Sequence, residues 1–158
     1  QALDLLGRKV LLGTRGKCVR DFTGIMWRFA RGNLFAGGPL GKMSRALVAR
    51  ALQWNMLTTR IMLRAAKDRE LVGSASVDYL MYSGFVMVAY FWALQAAKAQ
   101  ELIDSGKGAE SVEFYRAKIQ TAEFYFERLL PRADGHRKGA LAPTRSVMQM
   151  DKEHFAFS

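Results

Sequence analysis

From Tyr79 to Ala97 the chain carries no charged side chain, and this stretch limits the fold more than any other. Its length approaches the ~20 residues of a membrane-crossing helix. Its interior argues against that use, because Ser83, Gly84, Gln95 and the tyrosines Tyr79, Tyr82 and Tyr90 fall within it. Tyrosines of a crossing helix collect at the two interfaces instead. Charged helical turns flank the run without an interfacial break. It therefore reads as the central helix of a bundle, buried on most sides, and not as a membrane span.

The neighbouring segments complete a bundle. Residues 2–10 show helical spacing, which Gly13-Thr14-Arg15-Gly16 interrupts. An amphipathic helix over 17–31 places Val19, Phe22, Met26 and Phe29 on one face. Residues 33–41, with Gly37, Gly38 and Pro39, read as a loop. A helix over 42–70 has the seam Leu47, Ala51, Trp54, Thr58, Ile61 and Ala65, with Arg60, Arg64 and Lys67 on another face. Gly73 and Ser74 suit the end of that helix and the cap of the next. The third helix, over 75–104, contains Ser83-Gly84, where glycine costs up to ~1 kcal/mol relative to alanine. A close helix crossing there would account for the small pair. A turn follows at Asp104-Ser105-Gly106-Lys107-Gly108.

A fourth helix over 109–130 alternates three and four residue steps through Val112, Tyr115, Ile119, Ala122, Phe126 and Leu129, a bundle seam. Glu113 and Arg116 are spaced to pair. Pro131 ends or kinks the helix after Leu130. Gly135 and Gly139 weaken the pattern beyond it, and Ala142-Pro143 and Asp151 suggest two short terminal turns. No segment alternates with period two. The expected fold is all-α, an antiparallel up-and-down helical bundle with short terminal helices. At 158 residues such a chain forms a core without disulfides or metal. The single cysteine, Cys18, excludes an internal disulfide and fits a reducing compartment such as the cytoplasm.

The formal net charge of +10 is unevenly spread. Residues 1–70 hold 14 Lys and Arg against 4 Asp and Glu, whereas residues 71–158 hold 10 of each. Such asymmetry suits a phosphate-bearing ligand, an acidic partner domain, a membrane surface or nucleic acid. Nucleic acid is disfavoured, since no recognition module or aromatic-basic interleaving accompanies the charge.

Chemistry is harder to find. Nucleophilic catalysis needs a Ser, Cys or Thr with a positioned base. The two histidines, His136 and His154, lie in the C-terminal region far from Cys18 in sequence and read as surface residues. No Glu-x-x-His pair suggests a di-iron site, and Glu123 and Glu127 read as an exposed acidic stripe rather than metal ligands. The segment Gly37-Gly38-Pro39-Leu40-Gly41-Lys42-Met43-Ser44 resembles a phosphate loop, but Ala36 and Met43 break the required spacing and no strand precedes it. Only a weak anion contact through Lys42 and backbone N–H groups is left. The 8 Met and 18 aromatic residues fill a core rather than a cofactor pocket. No catalytic or metal residue is assigned, and no cofactor contact is identified.

Three stretches carry a family resemblance: Gln1-Ala-Leu-Asp-Leu-Leu-Gly-Arg-Lys9, Asp78-Tyr-Leu-Met-Tyr-Ser-Gly-Phe-Val-Met-Val-Ala-Tyr-Phe-Trp-Ala93, and Phe114-Tyr-Arg-Ala-Lys-Ile-Gln-Thr-Ala-Glu-Phe-Tyr-Phe-Glu-Arg-Leu-Leu-Pro-Arg132. The third is the most specific, and the tail from Ser146 to Phe157 is similar but less diagnostic. Together they resemble the C-terminal part of the acyl-CoA dehydrogenases, in the large bacterial type related to 3-methylmercaptopropionyl-CoA dehydrogenase. Those enzymes carry an added helical C-terminal domain. The resemblance implies a parent enzyme that oxidises acyl-CoA to 2-enoyl-CoA. A Glu takes the α-proton and FAD accepts hydride from the β-carbon. It also implies an electron-transfer flavoprotein as acceptor and a homo-oligomer.

The family's Glu sits in a Tyr-Glu-Gly-Thr segment shortly before the sequence matching Gln1, and these 158 residues do not contain it. Glu110 and Glu113 match no catalytic motif. The opening run, helical from its first residues and without an initiator Met, fits a detached piece of that enzyme. Residues 1–31 would then be closing helices of the dehydrogenase core, and 42–158 the added bundle. The basic first 70 residues would face that core, a neighbouring subunit, or CoA and FAD phosphates. The alternative is a stand-alone basic helical module that binds an acidic protein or nucleic acid. A membrane-associated helical protein is a third reading.

Overall fold

The structure, a computed structural model, describes residues 1–148. The predicted terminal turn at Asp151 and His154 lie outside the described residues. An N-terminal segment, Asp4–Gly13, is wound as a π-helix. Its wide turns end where Thr14 N–H donates to Lys9 O (3.1 Å) and Gly16 N–H to Val10 O (2.7 Å). Arg15 and Gly16 both adopt positive φ there, 46° and 73°, a conformation that glycine takes at little cost. The chain then forms α1 (Lys17–Asn33), α2 (Gly38–Ala65), α3 (Glu70–Ser105) and α4 (Val112–Phe124). Beyond α4 it widens into a π-turn, Tyr125–Leu129, tightens into a 3₁₀ turn, Leu130–Arg132, and continues as α5 (Ala133–Ala140) and α6 (Arg145–Met148). Among the described residues there is no strand. The all-α bundle is therefore the observed class.

Short connections make successive helices antiparallel neighbours. α1 packs on α2, α2 on α3, and α3 on both α4 and α5, while the N-terminal segment leans on α3. One core joins them through Leu6, Met26, Leu47, Leu57, Ile61, Leu71, Tyr79, Tyr82 and Val86. The predicted α2 seam is buried from Leu47 to Ile61, with Ala65 half-buried at its end. In α1, Val19 and Met26 are buried and Phe22 and Phe29 pack against the core. Of the α4 seam, Tyr115 and Ala122 are buried whereas Val112 lies exposed.

Several boundaries differ from expectation for identifiable reasons. The loop expected over 33–41 is only four residues, because α2 starts at Gly38 with Pro39 in its first turn, where proline's missing N–H costs nothing. Gly73 and Ser74 do not separate two helices, because both lie inside α3. The break falls at Ala66–Arg69, where Asp68 Oδ1 accepts Glu70 N–H (3.1 Å) and Asp68 Oδ2 accepts the Thr144 hydroxyl. Ser74 merely returns its hydroxyl to Leu71 O (3.2 Å). The end of α3 follows the predicted turn: Gly106, at φ 64°, donates to Leu102 O and Ile103 O. Ser111 then caps α4 by accepting Phe114 N–H (3.2 Å).

Pro131 does not stop the chain's helical path. The 3₁₀ turn absorbs its missing donor, and α5 follows at once. The predicted close crossing at Ser83-Gly84 is absent among the described residues. Ser83 is buried and donates to Tyr79 O (2.7 Å), but Gly84 is exposed with open space around it.

The uncharged run does lie in the central helix. Yet only 39% of the most apolar 18-residue window of α3 is buried. α3 is long and apolar enough to cross a membrane, and the described residues leave one of its faces uncovered. Elsewhere, Ser44 is completely buried in α2 and its hydroxyl has no hydrogen-bond partner among the described residues. An unsatisfied buried hydroxyl costs about 1–3 kcal/mol. Ser44→Ala is therefore expected to raise stability by about 1 kcal/mol, read as a higher urea midpoint at unchanged slope.

Candidate functional site

Half-buried charged side chains meet where α2, α3 and α5 pack together. Arg50, on α2, faces Asp134 at the start of α5 and grips both its oxygens: Nη1 to Oδ1 at 2.6 Å and Nη2 to Oδ2 at 2.9 Å. Nη1 also donates to Gln53 Oε1 (2.9 Å). The Tyr82 hydroxyl, from α3, donates to Arg50 O at 3.4 Å. Arg137 approaches Asp134 at 3.7 Å. The hydrogen bond from Arg50 holds the Asp134 carboxyl below the usual carboxylate range, against a smaller opposing effect of burial. The same bond raises Arg50 further above its ordinary value.

A second pair lies beside the first. His136 Nδ1 is 2.8 Å from Asp78 Oδ1, and its ring stacks on Phe85 with centroids 5.7 Å apart. Gly139 permits this arrangement, since a Cβ there would collide with the Asp78 carboxylate. The glycine that weakens the helical pattern in sequence is what lets α5 lie against α3. His136 is thus not a surface residue as expected, but a half-buried one clamped between two helices.

Deeper between α2 and α3, the Tyr79 hydroxyl accepts Trp54 Nε1–H (3.2 Å) and is hydrogen-bonded to Thr58 Oγ1 (2.7 Å), either hydroxyl being able to donate. Thr58 in turn donates to Trp54 O (2.9 Å) or to Tyr79. Burial pushes Tyr79 and Tyr82 up to about 12 each, overcoming hydrogen bonds to Tyr79 and the nearby Arg50 charge at Tyr82.

The arrangement suits helix clamping better than reaction chemistry. The Asp78–His136 pair has the base-and-orienter form of a catalytic dyad, but among the described residues no Ser, Thr or Cys hydrogen-bonds to the histidine. Cys18 is exposed and accepts only the Thr14 hydroxyl (3.2 Å). No group of three His, Cys, Asp or Glu that could hold a metal occurs among the described residues. Glu123 is half-buried and Glu127 exposed, separated by the start of the π-turn, and neither forms an ion pair among the described residues. Glu113 and Arg116 do not pair, and Glu110 is exposed with its N–H donated to the Tyr115 oxygen (3.2 Å).

Lys42 is exposed in the first turns of α2, in a segment that is helix rather than loop. Arg60, Arg64 and Lys67 are exposed as expected, but Arg64 also donates to Leu141 O (2.7 Å), closing the C-terminal end of α5. Sequence reasoning missed all three polar clusters. The available signals were Asp78, a lone acid just before the uncharged run, and two glycines four apart around His136.

Comparison with known proteins places the chain in a family. The family described as "Acetyl-CoA dehydrogenase C-terminal like" matches residues 20–151. The chain is 27% identical over 162 residues to a broad-specificity linear acyl-CoA dehydrogenase of Mycobacterium tuberculosis, covering 98% of this chain and 26% of that protein. It is 29% identical over 131 residues to a 3-methylmercaptopropionyl-CoA dehydrogenase of Ruegeria pomeroyi, covering 82% of this chain and 21% of that protein. The chain thus spans about a quarter of the length of the curated relatives it matches.

Proposed function

Because the chain belongs to the acetyl-CoA dehydrogenase C-terminal-like family, we propose that it is the helical C-terminal part of an FAD-dependent acyl-CoA dehydrogenase. The observation carrying this reading is the match to two acyl-CoA dehydrogenases over most of this chain but about a quarter of theirs. In this reading the parent enzyme oxidises acyl-CoA to 2-enoyl-CoA and passes electrons to an electron-transfer flavoprotein in the cytoplasm. Residues 1–31 are closing helices of the catalytic core and 42–158 the added bundle.

In this reading the described residues do not hold the flavin. Arg50, the most deeply held guanidinium of the polar junction, is engaged by Asp134, and Arg64 is turned onto Leu141 O. The Asp78–His136 pair is closed by the Phe85 ring. In this reading the chemistry belongs to polypeptide outside these residues, and this chain contributes rigidity and surface. Its basic first 70 residues face the catalytic core, and that contact weakens as salt screens it.

Reading the gene upstream of Gln1 tests the proposal. The expected result is an open frame that encodes a Tyr-Glu-Gly-Thr segment within 60 codons. A start codon immediately before Gln1 would contradict it and favour a stand-alone basic module.

A further inference from the structure

Arg137, on α5, is left with an unmet hydrogen-bonding group. Its Nε is buried and has no hydrogen-bond partner among the described residues. Its ion-pair partner, Asp134, lies 3.7 Å away, beyond hydrogen-bond reach. Both oxygens of Asp134 are already held by Arg50. Arg137 shares a small cavity between α2 and α5 with Arg60 and Gln53. Two guanidiniums on one cavity repel each other, and partial burial weakens the screening of that repulsion. Gln53 adds a further donor. Its Oε1 accepts from Arg50 Nη1 (2.9 Å). A guanidinium can only donate, so the amide NH₂ of Gln53 is the end left for the cavity. Among the described residues no carboxylate lines this cavity.

The cavity has a volume of about 20 Å³, room for one water-sized atom. It shares Arg60 and Leu141 with a wider hollow of about 380 Å³, which Leu63 and Arg64 complete. Arg64 is fixed there by its donation to Leu141 O (2.7 Å). Leu63 is 66% exposed and gives the hollow an apolar wall. The inner cavity thus fits a single oxygen, and the outer hollow fits the rest of a small molecule. We propose that the two hollows together bind an organic phosphomonoester. One phosphate oxygen enters between Arg60, Arg137 and Gln53, another faces Arg64, and the apolar ester group lies on Leu63 and Leu141. A carboxylate suits the site less well, because one guanidinium can satisfy both its oxygens. A phosphomonoester carries nearly two charges and three terminal oxygens, which matches donors converging from α2 and α5. The site is built from this chain's own residues and stands independently of the parent-enzyme reading.

Isothermal titration calorimetry of the 158-residue chain, in a chloride buffer free of other oxyanions, tests this with inorganic phosphate, phenyl phosphate and benzoate. Phenyl phosphate is expected to bind saturably at one site, more tightly than inorganic phosphate and about tenfold or more tighter than benzoate. Arg60→Gln and Arg137→Gln are each expected to weaken phenyl phosphate about tenfold, the worth of one charge-assisted hydrogen bond. Arg60 is exposed, so its variant folds whatever happens at Arg137. Leu63→Ala is expected to weaken phenyl phosphate about threefold and to leave inorganic phosphate unchanged. Arg28→Gln removes an exposed cation of α1 and is expected to change neither. No saturation by phenyl phosphate up to about 10 mM would overturn the inference. Benzoate binding as tightly as phenyl phosphate would do so too, and would point to an acidic side chain as the occupant. Equal losses in Arg28→Gln and Arg60→Gln, or a folded Arg137→Gln that binds as wild type does, would overturn it equally.

Discussion

Raising the pH from about 9 to about 12 is expected to cost the fold roughly 2–5 kcal/mol, most of it through two tyrosines. Tyr79 and Tyr82 are buried, and burial raises each from 10.0 to about 12. In the unfolded chain both hydroxyls ionise near 10. In the folded chain they keep their protons until about 12. Between those values the folded state binds more protons, so stability is complete below pH 10 and falls as pH rises, by about 1.4 kcal/mol per unit for each group. The lower end of the range allows for Tyr82, whose hydroxyl sits beside the Arg50 charge.

Lysine deprotonation in the same window reduces the chain's positive self-repulsion and acts in the opposite sense. Urea unfolding of the wild type against Tyr79→Phe and Tyr82→Phe, repeated at several pH values, separates the two effects. Each phenylalanine variant is expected to show a shallower alkaline slope. At neutral pH, Tyr79→Phe is expected to lose about 1–3 kcal/mol, because Trp54 Nε1–H loses its acceptor in the core. Equal slopes in all three proteins would refute the tyrosine account.

The second large effect is expected at the junction of α2 and α5. Asp134→Ala leaves the Arg50 guanidinium, whose side chain is only 13% exposed, without its counter-charge. Breaking one side of a buried pair costs about 3–5 kcal/mol, and because Asp134 is 41% exposed the expected loss here is about 1–3 kcal/mol. Removing both partners as Arg50→Met with Asp134→Leu is expected to recover most of that loss, since no uncompensated charge is left. A double-mutant cycle in urea measures the coupling, and strict additivity would show the pair to be idle. The acid limb follows with its own sign. The folded Asp134 carboxyl titrates below its ordinary 3.8, chiefly through Arg50. Its contribution is therefore complete above that value and disappears as pH falls through the lower folded value.

The sequence made the bundle legible because periodicity survives wherever a helix buries one face. The α2 seam from Leu47 to Ile61 and the α1 face through Val19 and Met26 are such cases. Helix boundaries were less legible, because they turn on single side chains. Asp68 breaks the chain before α3 by capping, and that signal outweighed the glycine at 73. The polar junction was hidden because it is assembled from residues far apart in sequence: Arg50 with Asp134, and Asp78 with His136. Gly139 was read as a weakness and proved to be the clearance for Asp78. Gly84 suggests a crossing inside the chain, whereas among the described residues it stands in the open. That the reactive carboxylate lies outside these residues is an expectation of the family resemblance alone, since no spacing in them announces or excludes it.

In the proposed reading the polar clusters of the described residues hold helices to one another, and the reaction is carried out by other polypeptide. Assaying the purified 158-residue chain with a straight-chain acyl-CoA, added FAD and a dye acceptor tests that claim most directly. The account predicts no acyl-CoA-dependent dye reduction and no flavin absorbance retained after gel filtration. Sustained turnover, with flavin co-eluting with the protein, would contradict it.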